Sequence, residues 1–430
     1  MRIAWLTPLS ERTGIAAYSL AAVAALRFEH DVDIWVEPTP DRLDAAIAGV
    51  LRDDEATAET LGAYDLVVYN IGNNVEFHDV IYAISRDLPG LVIVHDKVLQ
   101  DLVFPHYVER RRDVAGYLAL MARFYGEPGI DYAMRRVRGQ ASDELTARFP
   151  AVEFALQNAA GVVAHSDEAA RLFDRYPDLV PVGRVNLLFD PCIAPVGETL
   201  DASISGSMTI VVHGNIVPSK RIESVLDAIA GSEPLRSGSR LRIVGGGSPA
   251  YVSVLRDRVH RLGIDAMVEF TGRVDAGTMQ RHLSEADVFV NLRYPSTEVA
   301  SAALVEQIMF AKPVIVSDLG FYGELPDEVA IKIHLSHDVE ELRAALERLL
   351  VDPALRMDMA RAARAFGDEA FSPERYRSDF SKITARTEAA LPLVRQARDA
   401  ARSLAASPYS EWSARALEAG RRLIGDQPAE

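Results

Sequence analysis

A single cysteine, Cys192, stands in a chain of 430 residues. One thiol leaves no intrachain disulfide framework and no cysteine-based zinc site. Long apolar runs are missing too. No uncharged stretch approaches the roughly 20 residues that a bilayer-spanning helix needs. The opening residues, MRIAWLTPLSERTG, lack the apolar core of a signal peptide. The expected location is the cytoplasm. Positive charge is scarce, with 46 Lys and Arg against 62 Asp and Glu and a net charge of −16. That balance argues against general nucleic-acid binding, which needs a basic face. It also means that an anionic ligand has to be met by a local cluster of cations. What is present is a soluble globular composition, 49% hydrophobic and 25% charged. The length suggests about two domains, each large enough for its own core.

The first half alternates between strand and helix. Residues 2–7 read as a buried strand, followed by a loop that ends at Gly14 and by a helix over 15–26. Further strands are expected at 33–36, 66–69 and 91–95, with helical stretches between them. This rhythm predicts a parallel, doubly wound sheet, whose sites lie at the carboxyl edge of the strands. His95, with Asn73 and Asp96 near it, falls at such an edge. Asp31-Val32-Asp33 opens a strand instead of following one, so it does not read as a metal site. Residues 99–158 form a helical insert carrying Arg110-Arg111-Arg112 and Arg135-Arg136 with Arg138. Two readings stand open for it: solvated helix faces, or a patch for an anionic acceptor or the inner face of a membrane. Strands at 161–166 and 182–188 close the first half.

Residues 190–207, DPCIAPVGETLDASISGS, read as an interdomain linker. The pattern then starts again. A strand at 209–213 precedes a glycine loop, Lys220-Arg221 and a helix from Ile222. A strand at 241–244 runs into Gly245-Gly246-Gly247, which serve either close backbone approach or a sharp turn. A strand at 268–271 precedes Gly272-Arg273-Val274, and one at 286–292 delivers YPSTEVASAALVEQIMFAKPVIVSD over 294–318. Here a helix is expected over 299–311 and a strand after Pro313. Glu298 precedes the helix and Glu306 follows eight residues later, about 12 Å along a helix axis. Between them lies a helix start with only small side chains, Ala300, Ser301, Ala302 and Ala303. Free N–H groups at such an end favour phosphate. A ligand with hydroxyls at both ends and phosphates between fits that spacing, as a nucleotide-diphosphate sugar does. Glu306 lies among Val305, Ile308, Met309 and Phe310, and a carboxylate in such company needs donors.

The Glu-x7-Glu spacing and the following FAKPVIVSDLGFYGELPD resemble the donor-site segment of the family 4 retaining glycosyltransferases. The resemblance implies an α/β chain of GT-B fold, with two Rossmann-like domains facing each other across a cleft. It divides the chain into residues 1–195 on the acceptor side, 196–372 on the nucleotide-sugar side, and 373–430 as helices crossing back to the first domain. Leu391, Leu393, Leu404 or Trp412 are expected to pack there. Further roles follow by resemblance. Glu298 faces the donor sugar, His95 contacts it, and Lys220 grips the diphosphate. Glu306 holds the ribose, Gly14 lies near the phosphates, and Ser301 and Ala302 start the helix that receives them. Arg273 and Val274 border the base. Asn215 stands where the family has an arginine, and Arg221 or Arg273 is expected to supply the missing charge. The implied activity moves a sugar from a nucleotide-diphosphate sugar to a glycan, lipid-linked or small-molecule acceptor, with no metal or other cofactor required. A sugar-nucleotide epimerase of the same architecture and a non-catalytic nucleotide-sugar-binding protein are the alternatives.

Overall fold

The computed structural model describes residues 1–10, 12–37, 48–50, 58–175, 180–189 and 207–405. Among the described residues, thirteen strands fall into two sheets. The first sheet holds β1 (Arg2–Thr7), β2 (Asp31–Val36), β3 (Gly49–Val50), β4 (Leu66–Ile71), β5 (Leu91–Val94), β6 (Gly161–Ala164) and β7 (Val182–Arg184), in the order β3-β2-β1-β4-β5-β6-β7. The second holds β8 (Met208–His213), β9 (Ser239–Val244), β10 (Val268–Gly272), β11 (Val288–Asn291), β12 (Val314–Ser317) and β13 (Ala330–Ile333), in the order β10-β9-β8-β11-β12-β13. The pairings are parallel in both. Strands such as LVVYNI and MTIVVH are buried at every position. Near-continuous apolar sequence is what a parallel strand covered by helices on both faces requires.

In each sheet the strand order reverses once, between β1 and β4 and between β8 and β11. Chain leaving the two strands at such a point diverges, and a crevice opens between the loops. Of the loops that the sequence singled out, those after β1, β4, β8 and β11 border these two crevices.

The expected helix over residues 299–311 is shorter, Ala302–Met309. Residues 297–299 are drawn instead into an extended pairing with the first domain. Lys97 N donates to Thr297 O (2.6 Å), and Val299 N donates to His95 O (3.1 Å). Asp96 and Glu298 thereby face each other as an antiparallel bridge. A second tie lies nearby. Both oxygens of Glu324 cap the helix Asp167–Phe173 of the first domain, accepting from Asp167 N (2.9 Å) and Glu168 N (2.6 Å). Lys97 Nζ, in turn, reaches Glu168 (2.6 Å).

The join expected at 195/196 lies outside the described residues. The long helix Pro373–Ala405 does cross back to the first domain. Tyr376, Phe380, Ile383 and Leu391 are buried there, whereas Leu393 is 68% exposed. The expectation for Leu393 is therefore corrected. Its partner Leu391 lies two residues earlier, and two helix positions lie about 200° apart, so one buried face excludes the pair. The Leu404 side chain and Trp412 lie outside the described residues. Two glycines let the helix lie directly on the sheet. A Cβ on Gly183 would come within 2.6 Å of Ile383 Cβ, and one on Gly161 within 2.0 Å of Thr387 Oγ1. Gly183→Val should therefore lower unfolding free energy by about 1–3 kcal/mol, the ordinary cost of overpacking. Urea denaturation checks this, and an unchanged midpoint would contradict direct seating of the helix on β7.

Candidate active site

The second crevice is built from small, closely packed turns. After β8, Gly214 adopts φ 99°, and Gly245 after β9 adopts φ 136°. Both values lie in the region that favours glycine. A Cβ on Gly245 would lie 2.0 Å from Gly214 O, and one on Gly247 would lie 2.5 Å from Ile216 O. The glycine run after β9 thus serves to let the next loop approach. A Cβ on Gly214 would sit 3.4 Å from Lys220 Nζ and 4.0 Å from Ala303 Cβ. That distance places the lysine amine beside the first turn of the helix Ala302–Met309.

Lys220 is only 4% exposed. Its amine donates to His213 O (2.6 Å). Burial, and then the positive charge of Arg293, bring its pKa down to about 7. An amine so placed is a cation held in readiness: a nearby anion restores its full charge. Ser301 caps the facing helix, its Oγ accepting from Leu304 N (3.3 Å). Ala302, exposed, is the first residue of that helix, so its N–H has no carbonyl ahead of it within the helix.

Two carboxylates flank these cations. Glu298 is held by Arg293, whose Nε donates to Oε1 (3.0 Å), and by the Tyr322 hydroxyl. Glu306 accepts from His213 Nε2 (2.8 Å). The proton's place on that imidazole is fixed from behind. Asn291 Nδ2 donates to Gln307 Oε1 (3.0 Å), so the Gln307 amide presents Nε2 to His213 Nδ1 (3.1 Å). The Nδ1 atom accepts, and Nε2–H points at Glu306. The donor that Glu306 needs among apolar neighbours is thus His213, although the carboxylate keeps 22% exposure for a further partner.

Arg293, Tyr322, His213 and Gln307 were not singled out by the sequence. For Arg293 a signal existed: a lone arginine directly after an apolar strand and before Tyr294-Pro295. The other expected residues are placed as follows. Asn215 is exposed on the loop after β8. Arg221 turns away from the crevice, its Nε donating to Asp338 (2.6 Å), which also accepts from Ser224 Oγ. Arg273 is exposed and lies over Gly246, with Val274 half-buried beside it. Gly14 begins the helix Gly14–Leu26, and space is open where its Cβ would be. His95 packs edge-on against Tyr18 (5.1 Å between ring centres) and near His165 (5.4 Å). Its Nε2 meets Asn70 Oδ1 (3.1 Å). Burial, followed by the neighbouring His165, keeps His95 neutral, with a pKa well below the usual value. Among the described residues, no group of three or more His, Cys, Asp or Glu is placed to hold a metal ion. No described helix is long and apolar enough to cross a membrane.

Residues 202–366 match the family model described as glycosyl transferases group 1. That match falls on the second sheet and the helices around it. The described residues have the GT-B fold. The chain is similar to the sucrose-phosphate synthase of Thermosynechococcus elongatus (TM-score 0.63, 17% identity, 91% of this chain and 100% of that one). It is also similar to Anabaena HepE in complex with UDP (TM-score 0.61, 16% identity, 90% of this chain and 100% of that one). An exopolysaccharide phosphotransferase of Streptomyces coelicolor is 28% identical over 190 residues, 42% of this chain. The match spans only 18% of that relative's length.

The GT-B cleft brings Asp96 against Glu298. Burial, with the Glu298 charge as a further push, raises the Asp96 carboxyl to about 7, against the hydrogen bond from Asn73 N (2.8 Å). A carboxyl whose folded pKa is raised stabilises the fold least where it must ionise. Its cost is absent below the ordinary carboxyl value near 4 and grows as pH rises to about 7. Asp96→Asn keeps the acceptor for Asn73 and removes the charge. The melting temperature of the variant should therefore exceed that of the wild type at pH 8, with the gap closing at pH 4. A gap independent of pH would refute this coupling.

Proposed function

We propose that this chain transfers a sugar from a nucleotide-diphosphate sugar to an acceptor hydroxyl, with retention at the anomeric carbon. The observation that carries the reading is the convergence of Lys220, the start of the helix at Ser301, Glu298 and Glu306 on one switch point. These are two cationic or partly positive groups placed between two carboxylates. In this reading the diphosphate lies on Lys220 and the Ala302 end of the helix. Glu306 accepts hydrogen bonds from the ribose hydroxyls, while Glu298 takes the sugar end. Arg273 and Val274 border the base. Gly14, His95 and Asp96 belong to the acceptor side of the cleft.

The chemistry asked of these groups is electrostatic. The bond from the anomeric carbon to the phosphate oxygen breaks, and the acceptor oxygen bonds to the same face of the sugar. The acceptor proton passes to the departing phosphate. Negative charge accumulates on the diphosphate as the bond lengthens, and preorganised positive groups stabilise it. Lys220 gains most at that moment, because the growing anion favours its protonated form. Glu298 lies where positive charge develops on the sugar ring. No metal is required in this account, since the lysine and the helix end carry the leaving group. Retention is what the resemblance of the Glu298–Glu306 segment to the family 4 retaining glycosyltransferases implies. The similarity to an enzyme of exopolysaccharide chemistry and to a structure holding UDP supports a glycan acceptor and a uridine donor. The exposed part of the arginine-rich insert, including Arg111 and Arg112, would serve a lipid-linked acceptor at a membrane surface.

A thermal-shift screen with UDP, GDP, ADP, CMP and TDP tests the donor site, because a ligand that binds only the folded state raises its melting point. One diphosphate, UDP first, should raise it, and Glu306→Ala should abolish the shift. No shift with any of them would count against the site. In transfer assays Glu298→Gln should keep nucleotide binding and lose about a hundredfold in turnover, comparable to removing one charge-stabilising group. Equal activity of wild type and variant would remove Glu298 from the reaction.

A further inference from the structure

The loop after β8 has Asn215 where the resemblance expects an arginine, and Arg221 is committed to Asp338. The crevice nevertheless contains a second buried cation. Arg293, one residue beyond the loop start after β11, is 9% exposed. Its backbone N–H donates to Ser317 Oγ (3.0 Å), which fixes the root of the side chain. The guanidinium then presents two edges. The Nε and Nη2 edge holds Glu298, at 3.0 and 3.5 Å. The Nη1 corner faces the loop before Lys220, with Ser219 Oγ at 3.4 Å. The same loop is tied to the arginine's neighbour through Tyr294 N to Ser219 O (2.7 Å). Arg293 also acts on Lys220: its charge is, after burial, the largest influence lowering that amine's pKa.

A buried guanidinium is costly unless its donors are met. Glu298 meets only one edge. At the other, Nη1 meets Ser219 Oγ at the long distance of 3.4 Å, on the side of Lys220 where, in the reading above, a diphosphate lies. A planar fork is suited to such bridging, holding a carboxylate on one side and phosphate oxygens on the other.

We infer that Arg293 supplies the second phosphate-binding cation that Asn215 leaves out, gripping the diphosphate through Nη1 while its other edge holds Glu298 against the sugar. This rests on the nucleotide-sugar reading of the same crevice. It joins two functions in one side chain: charge for the leaving group and orientation of the sugar-facing carboxylate. It also explains how the loop after β8 does without an arginine.

Calorimetric titration with UDP and with uridine, and with GDP and guanosine in parallel, tests the inference. In Arg293→Met the diphosphate should bind at least tenfold more weakly while the nucleoside, lacking phosphates, binds as to wild type. Because Arg293→Met leaves Glu298 without its partner and is at risk of misfolding, Asn215→Arg gives an independent arm at an exposed position. If the vacancy is already filled, Asn215→Arg tightens diphosphate binding less than threefold in wild type, yet restores most of the loss in the Arg293→Met background. A tenfold gain in wild type, an unchanged diphosphate affinity in Arg293→Met, or a loss shared equally by nucleoside and diphosphate would each overturn the inference. Wild-type protein that binds neither diphosphate would overturn the nucleotide-sugar reading and this inference with it. Intact wild-type binding that survives Arg293→Met overturns the inference alone.

Discussion

A buried amine placed beside a buried guanidinium is the constraint on which the second domain turns. Two positive groups in a water-poor crevice repel each other, and neither is fully solvated. The fold offsets that cost with the His213 carbonyl for Lys220 and with Glu298 and Tyr322 for Arg293. The remaining deficit is an affinity for anions. Surrounding features follow from it: glycine turns that bring backbone close, small side chains at the helix start, and a second carboxylate held by an oriented histidine. A chain with a net charge of −16 would otherwise repel a nucleotide-diphosphate. In the proposed reading Lys220 and Arg293, buried where each charge counts, offset that repulsion locally.

The cleft depends on a second arrangement. The segment that bears Glu298 gives its backbone to the first domain, pairing with residues 95–97, while Glu324 caps a first-domain helix. The residue expected to face the sugar is thus held from both domains, its backbone neighbours by the first and its carboxylate by Arg293 and Tyr322 of the second. Asp96, lifted to about 7 by burial and by Glu298, makes this contact dependent on pH and on whatever charge enters the cleft. In the proposed reading, donor binding and domain contact share Glu298, so that a change at either is felt at the other.

Much of this was legible in the sequence. The parallel sheets announce themselves through near-continuous apolar strands, and their ends fall within a few residues of where residue types change. Lys220 and Glu298 stand out because each follows a strand by a glycine or proline turn, and Glu306 because it is a carboxylate among apolar neighbours eight residues after Glu298. What was not legible depends on pairings across long sequence distances. Arg221 looks like a crevice residue until Asp338, 117 positions on, claims it. The orientation of His213 is set through Gln307 and Asn291, neither of which carries a local signal. The helix after Glu298 starts late because its expected first residues are used by the opposite domain, a tertiary demand that outweighs local propensity. Leu393 was misjudged for a simpler reason: in a long helix one face is buried, and only packing shows which.

In the proposed reading Lys220 waits uncharged or half-charged for a diphosphate. With a pKa of about 7, only about a tenth of the amine is protonated at pH 8, whereas a bound diphosphate restores its charge. Titration of UDP into the protein at pH 8, in two buffers of different ionisation enthalpy, measures the protons taken up on binding. The account predicts uptake approaching one proton per nucleotide in wild type, and none in Lys220→Met. Binding without proton uptake, or equal uptake in both proteins, would contradict it.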